Sequence, residues 1–320
     1  MKIVSCEHFF KLKYYKMKLS LRLLLLLPFI FVMVGCPSDD SVAPIELRSY
    51  SEVYAEDKAE IETFMADHFM TVDADYNVTF TKITTSTPGT PISAHPNLTF
   101  KTVTKNGVDY KLYFIKLAEG LGNTQTDSDT ENDKPTRLDS IYSSYKGHKT
   151  DLTSFDEASS PIWFQLEQVI QGWQEIFPEF KIGNAQFDNT TGITTFSDFG
   201  AGVMFVPSGL AYFNQSQINI PSYTPIIFNF KLMKLKYKDH DGDKILSKYE
   251  FGGPTSGTAL DTDGDTKPDY ADFDDDNDGK LTKEEIRITP GFSSWYSYGT
   301  IPICSGGGNG KKKHLDPFCQ

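Results

Sequence analysis

Phe164-Gln165-Leu166-Glu167-Gln168-Val169-Ile170-Gln171-Gly172-Trp173, continued by Gln174-Glu175-Ile176-Phe177-Pro178, is the most informative stretch of the chain. Val169, Trp173, Ile176 and Phe177 fall at helical spacing and share one face, which predicts a brief amphipathic helix over Gln168–Phe177 that Pro178 stops. Around it, Leu138 to Lys236 reads as short strands, with apolar runs at Val203–Pro207 and Pro225–Leu235. Gly183–Gly200, rich in Thr, Asn, Asp and Gly, reads as an inserted loop. Upstream, Leu98–Thr104 and Val108–Leu117 flank Asn106-Gly107, a strong hairpin signal because both central residues of such a turn need positive φ. Gly120–Lys134 is polar and acidic and is predicted as loop. Tyr54, Ile61, Phe64, Met65, His68 and Phe69 recur at helical spacings and predict a helix over about residues 50–70. Tyr76–Thr84 alternates as a strand, and Ser86–Pro96, with three prolines, is loop. The pattern is α+β, mainly an antiparallel sheet with a helix on one face, with a helical N-terminal extension and a small C-terminal module.

Composition sets outer bounds. The 320 residues are 39% hydrophobic and 13% aromatic, enough for a full core and too apolar for a disordered chain. The net charge is −12, and removing residues 1–35, with their six Lys/Arg and one Glu, makes it −17. So acidic a body argues against nucleic acid as a partner. Four cysteines without a Cys-x-x-Cys pair exclude a cysteine-based zinc finger and a thioredoxin-type motif. The six histidines never fall at metal-ligand spacing, which argues against zinc. Ser305–Gly310 follows no strand and lacks a P-loop pattern, and Lys311–Lys313 reads as a solvated turn.

Five segments, in order over residues 108–236, resemble the FK506-binding-protein (FKBP) class of peptidyl-prolyl isomerases. They are Tyr145-Lys146-Gly147, Thr153-Ser154-Phe155-Asp156, the Phe164–Trp173 stretch, Val206-Pro207 through Leu210-Ala211-Tyr212, and Ile220-Pro221 through Ile226-Ile227-Phe228. The resemblance implies a half-wrapped antiparallel sheet around the short helix, with a pocket of Tyr145, Phe155, Asp156, Phe164, Val169, Ile170, Trp173, Tyr212, Ile220 and Phe228. By the same resemblance Trp173 is the floor, Tyr145, Phe164 and Phe228 are walls, and the Ile170 N–H and Tyr212 hydroxyl hold substrate carbonyls. Asp156 orients the carbonyl being twisted. The expected activity is rotation of X–Pro bonds in exported polypeptides, without a cofactor. Two departures stand out: Glu167 replaces a common glycine, and Phe213 replaces the glycine after Ala211-Tyr212. A loop occluded by Phe213 would favour the alternative, an inactive FKBP-like chaperone or surface binding scaffold. A calcium-stiffened spacer is the third class.

Asp239–Glu285 carries fifteen Asp/Glu against five Lys. Asp274, Asp276, Asp278, Gly279, Thr282 and Glu285 occupy positions 1, 3, 5, 6, 9 and 12 of an EF-hand loop. Asp261, Asp263, Asp265, Asp269 and Asp272 repeat positions 1, 3, 5, 9 and 12, resembling thrombospondin type 3 repeats. Asp239, Asp241, Asp243, Ser247 and Glu250 form a third set, with Lys244 in the glycine slot. Hard oxygen donors at this spacing predict structural calcium, and residues 239–290 are taken as the calcium module ahead of a 291–320 tail.

At the other end, a basic stretch, apolar Leu23–Val34 and small Gly35 read as a signal peptide over residues 1–35, with Met17 as a second complete start. Val32-Met33-Val34-Gly35-Cys36 resembles a bacterial lipobox, which implies a lipid on Cys36, a tether over 36–49 and a membrane-anchored protein, on the periplasmic or the surface face of the outer membrane; the alternative is cleavage elsewhere with Cys36 free. In an oxidising compartment Cys304 and Cys319 are candidates for a disulfide, worth roughly 3 kcal/mol by chain entropy.

Overall fold

The antiparallel strand pairing that the sequence patterning predicts builds one six-stranded sheet, in the order Leu98–Lys105, Val108–Ala118, Gly200–Val206, Ile226–Lys236, Ser140–Lys149, Ser154–Gln165. The computed structural model describes residues 47–122, 133–252, 259–304 and 310–319. The leader, Cys36 and most of its tether, residues 123–132 of the predicted acidic loop, and Ser305–Asn309 lie outside the described residues. No helix among the described residues is long and apolar enough to cross a membrane. The strands are β3 (Leu98–Lys105), β4 (Val108–Ala118), β5 (Ser140–Lys149), β6 (Ser154–Gln165), β9 (Gly200–Val206) and β10 (Ile226–Lys236). Asn106 and Gly107 turn β3 into β4 with φ of 51° and 73°, both left-handed as that hairpin requires.

The central helix α2 is Gln171–Ile176, shorter than the periodicity predicts. Leu166–Gln168 and Phe177–Glu179 are 3-10 turns at either end. Pro178 cannot donate to a continuing α-helix, so the last turn tightens there. Gly172 lets α2 approach β9, since a Cβ on it would lie 2.6 Å from Val206. Trp173, Ile176 and Phe177 pack with Tyr110, Leu112 and Phe114 of β4, Met204 and Val206 of β9, and Phe228 and Phe230 of β10.

The opposite face of the sheet is covered as well. Helix α1 (Tyr50–Asp67) is capped by Ser49, whose hydroxyl accepts from the Glu52 N–H. Ile61, Phe64 and Met65 of α1 meet Val203 and Phe205 of β9 and Ile227 of β10. With apolar layers on both faces, β9 is buried at every residue, which is why its sequence is a continuous apolar run instead of an alternating one. The helix stops at Asp67, not at 70: His68–Val72 is strand β1, paired with β2 (Val78–Lys82). His68 and Phe69 fit helical spacing, but the pairing with β2 overrides it. The strand predicted over 76–84 is correspondingly shorter. Asn229 of β10 ties this hairpin down, accepting from the Val78 N–H and donating to the Tyr76 and Gly202 carbonyls.

Gly183–Gly200 is not a loop. It is a hairpin of β7 (Asn184–Asp188) and β8 (Ile193–Ser197). Asp188 closes its turn by accepting from Thr190 and Thr191, and Gly192 takes a φ of 72°. The β-branched and aromatic run Ile193-Thr194-Thr195-Phe196 after Gly192 was the available signal.

The covering helix also reaches the loop that carries Tyr212. Asp57, 2% exposed, accepts from the Ser208 N–H (2.7 Å) and hydroxyl (2.6 Å). Burial pushes its carboxyl up to about 6, against the lowering effect of those hydrogen bonds. A carboxyl titrating at about 6 instead of 3.8 keeps its proton where the unfolded chain has lost it. Stability therefore falls as pH rises from about 4 to about 6, by about 3 kcal/mol. Asp57→Asn keeps an acceptor for Ser208 and has nothing to ionise. Urea unfolding in saturating calcium should show the variant gaining about 3 kcal/mol on the wild type between pH 4 and pH 7; parallel profiles would refute the assignment.

Candidate functional site

Strands β5 and β6 set one wall of a cavity between the sheet and α2. Gly147 of β5 lies opposite Asp156 of β6, and a Cβ there would sit 2.5 Å from the Phe155 ring. The glycine is what allows Phe155 to lie across the strand. A bulge places Ser159-Ser160-Pro161 opposite a single residue, Ser144, where the proline's missing N–H costs no ladder bond. Beyond it Phe164 points back toward Tyr145, with ring centroids 5.7 Å apart.

The cavity measures about 250 Å³ and is lined by Tyr145, Phe155, Asp156, Phe164, Gln168, Val169, Ile170, Trp173, Tyr212 and Phe228. Nine of the ten sequence-derived pocket residues thus meet in one place. Ile220 does not; it is buried in the core behind the lining. Gln168 is the addition. The Trp173 ring lies 5.1 Å from Tyr145, 5.2 Å from Phe164 and 5.2 Å from Phe228, each at 70–86°. Edge-to-face pairs of this kind contribute about 0.5–1.5 kcal/mol each beyond burial and fix the shape of the box. The indole N–H is buried with no hydrogen-bond partner.

Polar groups are few and sit at the mouth. The Tyr145 hydroxyl donates to exposed Asp156 at 2.5 Å. Burial, then that hydrogen bond, holds the Tyr145 phenol far above its usual range, and burial raises Tyr212 too. Both phenols stay neutral donors at physiological pH. Ile170 precedes the first helical residue, so its N–H lies outside the helix's own hydrogen bonds. Phe213 does not occlude the cavity. Its ring turns away to stack on Tyr50 of α1 at 4.0 Å, from a backbone φ of 50°. Glu167 is paired with His240 at 3.3 Å. A larger hollow of about 660 Å³ lies over β3 and β4, but it is open and charged, lined by Lys101, Lys116, Glu119 and Glu179.

The three acidic loops share one backbone plan. The side chain at position 9 accepts from the N–H at position 2: Ser247 from His240, Asp269 from Thr262, Thr282 from Asp275. These three are locks on loop shape. The carboxylate at position 1 accepts from the N–H at position 6 in each loop. The residues there, Lys244, Thr266 and Gly279, all take left-handed φ of 83–90°, so the non-glycine residues in the first two loops carry strain. The helices that follow, α3 (Ser247–Glu250) and α4 (Thr282–Glu285), are single turns.

Within each loop the acids at positions 1, 3 and 5 converge: Asp239 with Asp241 and Asp243, Asp261 with Asp263 and Asp265, Asp274 with Asp276 and Asp278. The carboxylates at position 12 differ. Asp272 is drawn off to Lys267 at 3.2 Å, whereas Glu250 and Glu285 are buried with both oxygens lacking a hydrogen-bond partner. Burial and neighbouring carboxylates push Glu285 up to about 8 and Glu250 up to about 10. Two carboxylates 4.8 Å apart repel by about 3.5 kcal/mol at an effective dielectric near 20. All-oxygen donor sets, completed in the first and third loops by the buried, unpartnered Glu250 and Glu285, fit a hard divalent cation. Buried Asp275 and Asp316 were not singled out by loop spacing; both carry carboxylate oxygens without partners. Cys304 and Cys319 are joined in a disulfide, Cα atoms 5.6 Å apart.

A family model described as BamM C-terminal matches residues 234–311, the segment that contains the acidic loops. No curated protein matches. Among solved structures, the chain is similar to a peptidyl-prolyl cis-trans isomerase from Pseudomonas syringae pv. tomato, at 21% identity, 60% of this chain, 99% of that one and a TM-score of 0.35. It is similar to FkpA from Escherichia coli at 20% identity, covering 58% and 60% with a TM-score of 0.36. It is similar to the three FKBP domains of wheat FKBP73 at 16% identity, covering 43% and 51% with a TM-score of 0.31.

Proposed function

We propose that this chain is an FKBP-type peptidyl-prolyl cis-trans isomerase acting on exported polypeptides, anchored to a membrane by lipid on Cys36 and braced by calcium in its C-terminal loops. One observation carries the catalytic part: an aromatic box floored by Trp173 opens at a mouth where Tyr145 holds Asp156. Rotating an X–Pro bond breaks amide resonance, against a barrier near 18–20 kcal/mol, and needs neither nucleophile nor base. The planar amide is the more charge-separated form and loses more than the twisted one when water is stripped away. An apolar cavity therefore favours the twisted state, and each 1.36 kcal/mol of difference is worth a factor of ten.

Trp173 supports the prolyl ring, with Phe164, Tyr145 and Phe228 around it. Tyr212 and the Ile170 N–H take substrate carbonyls, and Asp156 orients the carbonyl that turns. The position of Phe213, stacked on α1, supports an open cavity over the scaffold reading. Exchange spectroscopy on an X–Pro peptide with the full chain should show cis/trans exchange accelerated about tenfold or more at micromolar protein. A folded protein that leaves the exchange rate at its buffer value would overturn the proposal.

Calcium, when bound, supplies positive charge to the buried carboxylates. Asp239, Asp241, Asp243 and Glu250, and Asp274, Asp276, Asp278 and Glu285, would hold it; Asp261, Asp263 and Asp265 form a more exposed set. Its place is structural, since none of these carboxylates lines the aromatic box.

A further inference from the structure

Asp275 holds position 2 of the third loop, a place where the other loops have His240 and Thr262. Its backbone N–H is fixed by Thr282 of its own loop, at 3.1 Å. Its side chain serves elsewhere. The acids that converge within the third loop are Asp274, Asp276 and Asp278; the Asp275 carboxylate instead lies within 4.8 Å of Asp243 and Glu250, at positions 5 and 12 of the first loop. These three are among the most deeply buried charged groups of the protein, at 2%, 1% and 3% exposure. Both oxygens of Asp275, both of Glu250 and Oδ2 of Asp243 have no hydrogen-bond partner. A buried carboxylate without a donor is costly, and three converging ones compound the cost.

We propose that Asp275 is a cation ligand of the first loop: Asp243, Glu250 and Asp275 together hold one divalent ion, calcium by its chemistry, that bridges the first and third loops. The proposal rests on the calcium reading above and adds a ligand that loop spacing does not assign. The donors suit that ion. All are carboxylate oxygens, without nitrogen or sulfur, and two oxygens each about 2.3–2.6 Å from one calcium ion lie at most about 5 Å apart. With Asp239 and Asp241 nearby the set counts five carboxylates, and Glu250, whose two oxygens are both unpartnered, brings it to six oxygens when it binds through both. The first loop then closes only when the third is docked on it. The run Asp274-Asp275-Asp276 acquires a reason too: alternate carboxylates serve the local site, and the middle one serves the neighbouring loop.

The test is calcium uptake by the full chain, read by native mass spectrometry and titration calorimetry. Asp275→Asn and Glu250→Gln should each lose the same single ion, or weaken one site tenfold or more, and the double variant should lose nothing further. Asp276→Asn should lose a different ion, and combining it with Asp275→Asn should remove two. If Asp275→Asn does not fold, Asp275→Glu should keep the stoichiometry with one weakened site. Full uptake at unchanged affinity in Asp275→Asn, or loss of the ion that Asp276→Asn loses, overturns the bridge and leaves the calcium reading standing. No uptake by the wild type sinks both.

Discussion

Replacing Asp156 with Ala should cut kcat/KM for X–Pro isomerisation roughly 10- to 100-fold while leaving the melting temperature where it is. The asymmetry comes from where the residue sits. Asp156 is exposed at the cavity mouth, where its carboxylate accepts from the Tyr145 hydroxyl. Surface substitutions of this kind usually change stability by no more than about 0.5 kcal/mol. In the proposed reaction, by contrast, its carboxylate would face the carbonyl whose dipole reorients as the bond turns. A hydrogen bond to a charged group is worth about 1.5–3 kcal/mol, and losing that much in the transition state alone gives the stated range. Tyr145→Phe should give a smaller loss, about tenfold, because it frees Asp156 without removing its charge. Trp173→Ala cannot serve the same purpose: the ring is 4% exposed inside the core, and its removal should cost about 3–5 kcal/mol of stability as well as activity. An Asp156→Ala protein with unaltered kcat/KM would place the chemistry elsewhere in the cavity.

The aromatic box was legible through the family resemblance, which supplied its candidate residues as a set; spacing alone marks them as core, and it is the surrounding elements that spacing reveals. Val169, Trp173, Ile176 and Phe177 announce a helix by spacing alone, and Asn106-Gly107 announces its hairpin by the backbone angles it permits. Errors cluster where tertiary pairing overrides local pattern. His68 and Phe69 continue the helical period of α1, yet they pair with β2 across the sheet's second face. Ile193-Thr194-Thr195-Phe196 looks too polar in its surroundings for a strand, yet its partner Asn184–Asp188 makes it one. The covered back face explains the part of the chain to which the sequence assigned no role: α1 and the β1–β2 hairpin bury Val203, Phe205 and Ile227, and β3 extends the sheet. Contacts that depend on distant partners left no local trace. Asp57 meets Ser208 across 151 positions, and Asp275 finds Glu250 only once two loops are packed together.

Chelating calcium should lower the melting temperature by roughly 10 °C and weaken the isomerase, and the two effects share a route. Each site filled at about a hundred times its Kd contributes about 2.7 kcal/mol, so two such sites contribute about 5. For a chain of this size each kcal/mol is worth about 2 °C. Without the ion, the buried acids must take up protons or repel: burial together with nearby carboxylates pushes Asp275 up to about 9 and Glu250 up to about 10. Because calcium must displace those protons, its affinity should fall as pH is lowered, and the melting-temperature gain from calcium should shrink from pH 8 toward pH 5. The first loop also touches the elements that build the aromatic box. His240, at its second position, pairs with Glu167 at 3.3 Å, one residue before Gln168 and two before Val169 in the cavity lining. Phe251, just after the loop, stacks under Arg137, whose guanidinium holds buried Glu175 of α2 at 2.7 Å. Loosening the first loop therefore loosens both ends of the helix that carries Trp173. The expected loss of activity on chelation is several-fold, restored by calcium and reproduced without chelator by Glu250→Gln. A melting temperature indifferent to chelator would remove calcium from the account, whereas a lowered melting temperature with full activity would confine it to the C-terminal loops.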